Sequence, residues 1–156
     1  MLMTESDREA RDLAEQLERL NRERQRIEKE TTAEALAAVG STETPAALVL
    51  GARHWHLGVV GIVAARLVER YHRPAVVVAV NQNGIGKGSA RSVPGFDLYH
   101  ALSRCRDLLE GFGGHPVAAG LTIRESRLPE FRDRFAEIAA EWSGDQPPVP
   151  TLRVDA

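Results

Sequence analysis

The stretch VVGIVAARLVERYHRPAVVVAV, residues 59–80, decides the fold. Its first part, Val59 to Tyr71, carries apolar side chains at helical spacing; its last part, Ala75 to Val80, is continuously apolar behind Pro74. A run that short, that apolar and that rich in valine reads as a strand buried on both faces. Upstream, Ala46 to Leu50 is a second short apolar run of the same kind. Strand, helix and strand in that order make a β-α-β unit.

Toward the C-terminus, Asn81 to Gly84 (NQNG) reads as a turn, Gly86 to Ser92 as an extended glycine-rich segment, and Val93 to Phe96 (VPGF) as another turn. Asp97 suits the N-cap of a helix with the face Leu98, Leu102, Cys105 and Leu109, closed by Gly111. After a Gly113-Gly114-His115-Pro116 loop, Val117 to Ile123 reads as a strand of small residues. Leu128, Phe131, Phe135, Ile138 and Trp142 then mark a last amphipathic helix, and Pro147, Pro148 and Pro150 an extended tail. The fold class expected is α/β, with a mixed, partly parallel sheet flanked by helices.

Toward the N-terminus, Ser6 and Glu9 have capping-box spacing, and no Gly or Pro follows until Gly40. That predicts one helix of roughly 33 residues, about 50 Å long. Its apolar stripe, Leu13, Leu17, Leu20 and Ile27, is interrupted by Arg24 and Thr31. So thin a stripe fits either a solvated helix lying on its own domain or a connector to a neighbouring domain. The organisation expected is a connector helix over 1–40, a compact domain over 41–144 and a Pro-rich linker over 145–156.

With 156 residues, 43% hydrophobic and 27% charged, the chain has room for one core. No run is long enough to cross a membrane and the start lacks a signal-peptide pattern, so a soluble, cytoplasmic protein is expected. A single cysteine, Cys105, excludes both a disulfide framework and a thiolate metal cluster. The net charge of −2 hides an uneven distribution. Between Gly51 and Arg124 stand nine basic and four acidic residues and all five histidines, while both flanks are net acidic. A basic middle permits a phosphate-bearing ligand.

The phosphate-loop template fails because Asn81 stands where its first glycine belongs, and the dinucleotide fingerprint because Gly84-x-Gly86 ends on Ser89. What remains is Gly86-Lys87-Gly88-Ser89-Ala90-Arg91-Ser92. On an extended backbone, Lys87, Ser89 and Arg91 share one face. Ammonium, hydroxyl and guanidinium together suit a phosphate; the plainer reading is a charged strand face in water. Gly113 and Gly114 before His115 suit a nest of backbone N–H groups, with His115 donating to phosphate or stacking on a base. His54-Trp55-His56 has HxH spacing but no third zinc ligand nearby, so Trp55 is expected to pack at the helix entry and His56 to cap the loop. Gly58, Gly61 and Ala65 give the following helix a smooth face for packing on the sheet. The acids of the middle, Glu69, Asp97, Asp107 and Glu110, fall in helices or a cap, so no Asp/His cluster is in place for a metal pair.

These residues resemble a family. The segments His54 to Ala64, Gly86 to Ser92, Pro94 to Leu98 and Phe112 to Gly120 are similar in order and spacing to the DHH-associated domain of RecJ exonucleases. Leu20 to Gln25 resembles the helix joining the two halves of the RecJ core. The resemblance implies a 5′ to 3′ single-stranded-DNA exonuclease using Mn²⁺ or Mg²⁺, in which a separate DHH domain holds the metals and this domain closes the other side of the cleft. It implies that Ser89 and Arg91, beside Lys87, grip the 5′-phosphate region, with Gly113, Gly114 and His115 near the scissile end, His115 as a support there. The partners implied are single-stranded DNA, the DHH domain and a C-terminal oligonucleotide-binding domain, with no membrane. No metal is expected on this chain, and no hydrolysis by this chain alone. A DHH-superfamily oligoribonuclease or phosphoesterase is the alternative.

Overall fold

The computed structural model describes residues 4–40 and 44–144; the Pro-rich stretch 145–156 lies outside them. Helix α1 spans Glu5–Val39. Its cap sits two residues before the expected Ser6: Thr4 Oγ1 accepts from the Asp7 N–H (3.1 Å) while the Asp7 carboxylate accepts from the Thr4 N–H (3.3 Å). Both pairs satisfy the capping rule, and the earlier one wins by adding backbone bonds, Arg8 N–H to the Thr4 carbonyl at 3.2 Å being the first. Gly40, at φ 77°, ends the helix.

The β-α-β unit is present as β1 (Leu48–Ala52), α2 (Val60–Tyr71) and β2 (Ala75–Val80), with β1 parallel to β2. β1 lies two residues later than its apolar run, because the ladder continues through Gly51 and Ala52 opposite Val78 and Ala79. β3 (Ile85–Arg91) returns antiparallel through the Asn81–Gly84 turn, which Asn81 Oδ1 holds by accepting from the N–H groups of Asn83 (2.9 Å) and Ile85 (3.0 Å). Asp97 caps α3 (Leu98–Ser103), accepting from the His100 N–H at 3.1 Å.

Helix α3 does not run on to Leu109 as expected. The chain tightens into a 3₁₀ turn at Arg106–Leu108, and Leu102, Cys105 and Leu108, all buried, recur every three residues, the period of that tighter helix. Gly111, expected to close the helix, instead opens β4 (Gly111–Gly114), which pairs with β5 (Ala118–Arg124); α4 (Leu128–Ser143) follows. The sheet is five-stranded, in the order β1-β2-β3-β5-β4. Among the described residues it is parallel only between β1 and β2.

One face, bearing Val76, Val78, Val80, Ala90, Leu121 and Ile123, packs on α3 and α4, whose Phe131 and Phe135 are fully buried. Trp142, grouped with them on the sequence, is 43% exposed and meets Phe96 edge-on at 5.2 Å. The other face, bearing Ala75, Val77 and Ala79, lies under α2 and the C-terminal end of α1. There Thr31 and Ala35 are buried, whereas Leu13, Leu17 and Leu20 are at least 60% exposed. The long helix therefore lies on its own domain at one end and stands clear of the other described residues at the other.

Candidate nucleic-acid interface

Strand pairing sorts the sequence candidates into three rows across the α2 face of the sheet. Lys87 of β3 pairs with Thr122 of β5, which pairs with Gly111 of β4. Ser89 pairs with Gly120 and Gly120 with Gly113. Arg91 pairs with Ala118, whose carbonyl accepts from the His115 N–H at 2.9 Å. Residues in register across a sheet share a face. Lys87, Ser89 and Arg91 thus stand beside a strip of small side chains, with Gly113 and His115 two strand spacings away, roughly 10 Å. Gly111, Gly113 and Gly120 are exposed, so among the described residues no helix roofs this part of the sheet.

Helix α2 borders the rows at the β3 side. Its N-cap, Val59, makes no side-chain capping bond, so the amides of its first turn are left uncapped by side chains and carry the positive end of the helix dipole beside Ser89 and Arg91. Arg91 is half-buried; its Nη1 donates to the Ala90 carbonyl at 2.9 Å and its Nη2 reaches α2 at Gly61. Arg53, Arg66, Arg104, Arg124 and Arg134 each pair with a carboxylate. Among the described residues Lys87 and Arg91 pair with none. Two uncompensated cations on an open, small-residue surface are suited to an anion that can lie close to the backbone.

Three local expectations change. The nest does not form, since Gly113 and Gly114 are strand residues and the His115 amide is bonded to Ala118. Gly114 faces away from the rows with Ala119, at φ 137°, where a Cβ would come within 2.6 Å of Ala119 Cα. Of the smooth face expected on α2, Gly61 does lie against Ser89 and Arg91 of β3, but the buried face is formed by Val60, Val63, Ala64 and Leu67, and Gly58 is exposed ahead of the helix.

The His54-Trp55-His56 segment does pack and cap. The Trp55 indole N–H donates to Glu34 Oε1 at 3.1 Å, His54 pairs with the same carboxylate, and His56 Nδ1 accepts from the Gly58 N–H at 2.9 Å. The hydrogen bonds from His54 and then Trp55 hold the Glu34 carboxyl below its ordinary value. Glu34 escaped the sequence reading because nothing local on α1 signals a contact twenty residues away. Cys105 is buried, and burial pushes its thiol up to about 11, so it is no nucleophile.

The family model described as the DHHA1 domain matches residues 44–141. The chain belongs to the DHHA1 family. The chain is 44% identical, over 99% of its length, to the single-stranded-DNA-specific exonuclease RecJ of Bacillus subtilis, of which it spans 20%. A crystal structure of RecJ from Thermus thermophilus in complex with Mg²⁺ superposes with a TM-score of 0.79 at 36% identity, covering 95% of this chain and 22% of that one. A RecJ structure bound to manganese gives 0.81 at 35% identity, over 94% of this chain and 36% of that one. The chain thus spans only about a fifth to a third of the length of these relatives. Among its described residues no three His, Cys, Asp or Glu side chains converge as a metal site, so they do not fit the metal that those structures hold.

Proposed function

We propose that this chain is the strand-clamping domain of a cytoplasmic RecJ-like 5′ to 3′ single-stranded-DNA exonuclease, gripping the 5′-phosphate end opposite a DHH domain that carries Mn²⁺ or Mg²⁺. The observation behind it is the face on which Lys87, Ser89 and Arg91, with neither cation paired to a carboxylate among the described residues, adjoin the exposed strip of Gly120 and Gly113. In this reading Arg91 and Ser89 hold the terminal phosphate, with Lys87 adding charge. The strand then crosses the small residues of β5 toward Gly113 and His115, near the scissile end. Residues 1–40 connect to the DHH domain, 41–144 form the clamp and 145–156 lead to an oligonucleotide-binding domain.

Arg91 is the strongest member, because a guanidinium makes two parallel bonds to phosphate where an ammonium is a point charge. In the full-length protein Arg91→Ala should weaken binding of 5′-phosphorylated single strands by roughly 1.5 to 3 kcal/mol, with Arg91→Lys recovering part. Titration of DNA and RNA of equal length, with a chelator present to prevent cleavage, reads this out. Equal binding by Arg91→Ala and parent at low salt would remove the clamp, and tighter binding of RNA would turn the reading toward an oligoribonuclease.

A further inference from the structure

We infer that Gly61 is a positioning residue for phosphate binding: its missing side chain reserves the space in which the Arg91 guanidinium lies. This rests on the clamp reading above and adds to it a residue on a different element. A Cβ built on Gly61 would stand 2.9 Å from Arg91 Nη2 and 3.4 Å from Ser89 Oγ. Both atoms lie on the β3 face proposed to meet the phosphate. The other guanidinium nitrogen, Nη1, is tied to the Ala90 carbonyl at 2.9 Å. The guanidinium is therefore fixed from one side by β3 and given room from the other by α2.

The fold itself does not ask for glycine at this position. Gly86 and Gly88 are demanded by the sheet, since a Cβ there would approach the Val78 side chain to 2.5 and 2.8 Å, and Gly114 by its positive φ. Gly61 is helical and its φ lies outside the left-handed region. A glycine costs about 1 kcal/mol relative to alanine in a helix interior and less in the first turn, where Gly61 stands, but it still gives the helix nothing. The nearest atom a methyl group would meet is the far end of a long, flexible side chain, so alanine would move Arg91 rather than the backbone. α2 thus forgoes helix stability at the one point where doing so keeps Arg91 in place. Bidentate recognition depends on the orientation of the guanidinium plane, and hydrogen bonds weaken steeply off their axis, so a displaced Arg91 remains charged but loses the paired contact.

The test compares a 5′-phosphorylated oligothymidylate with its 5′-hydroxyl twin on the full-length protein with chelator present, the ratio of the two dissociation constants being the phosphate preference. Gly61→Ala should reduce that preference about fivefold or more, leave the affinity for the 5′-hydroxyl strand unchanged, and melt no lower than the parent. Added to Arg91→Ala, it should change nothing further. If Arg91→Ala loses the preference and Gly61→Ala keeps it, the role of Gly61 is overturned while the clamp stands. If Arg91→Ala keeps it, both fall. A Gly61→Ala protein that melts lower and binds both strands more weakly, or that loses preference equally without Arg91, makes Gly61 a packing residue and overturns the inference.

Discussion

Gly113 and Gly114 are neighbours in the chain with opposite reasons for being glycine. At Gly114 a Cβ would meet Ala119 Cα at 2.6 Å and the Ala118 carbonyl at 2.7 Å, at φ 137°. At Gly113 it would meet nothing within 4 Å. Gly114→Ala should therefore destabilise by about 1 to 3 kcal/mol, and Gly113→Ala by less than about 0.5 kcal/mol. Denaturant midpoints of the two variants decide it, and equal losses would mean that Gly113 is structural too. Cys105 gives a pH prediction of definite sign. The native state keeps its thiol protonated up to about 11, while the unfolded chain releases the proton near 9.0. Stability from this group is complete below 9.0 and declines as pH rises from there toward 11. A Cys105→Ala variant, compared with the parent across that window, should lack that decline, and iodoacetamide should label native Cys105 far more slowly than the unfolded thiol.

α1 shows at the scale of one element what a sequence can and cannot display. Its existence and length followed from the absence of Gly and Pro up to Gly40, but its two ends behave differently for reasons located in α2 and β1. Thr31, which interrupts the apolar stripe, is buried, and Leu13, Leu17 and Leu20, which form it, are exposed. Amides of Glu5 to Arg24 should exchange faster than those of Thr31 to Val39 and of β2; equal protection would mean that the outer turns are covered in solution. Docking of the inner end rests partly on Glu34. Its carboxyl is held below the ordinary value by His54 and Trp55, so this contribution is present at neutral pH and lost as pH falls through its depressed folded value. In a Trp142→Phe background, Trp55 emission should shift red on acidification, and Glu34→Gln should remove that transition. The β-α-β unit was legible because β2 is buried on both faces and must be apolar throughout. β4 was not, since Gly111 to Gly114 has the composition of a loop and is a strand only because β5 supplies its partners. The shared face of Lys87, Ser89 and Arg91 was legible from period two alone, whereas the space that Gly61 leaves for Arg91 depends on how α2 lies across β3.

For the whole molecule, a net charge of −2 would by itself repel a nucleic acid. The acids that give this sign are concentrated on the flanks, many of them on α1, and at physiological salt charges interact appreciably only within about 8 Å. Binding should therefore be governed by the cations of the β3 face, not by the total. Single strands show a slope of log affinity against log salt of roughly −0.7 per phosphate neutralised. If Lys87 and Arg91 each neutralise one phosphate, together they contribute on the order of −1.4 to the slope of this chain, and Arg91→Ala should make it shallower by about 0.7. Arg70, exposed on α2 and equally basic, is a matched control: Arg70→Ala changes net charge by the same amount and should leave the slope unchanged. If both variants shift the slope equally, net charge rather than the row governs binding and the cations of β3 have no special part. If Arg91→Ala alone shifts it, the sheet face between α2 and β4 is where the phosphates lie.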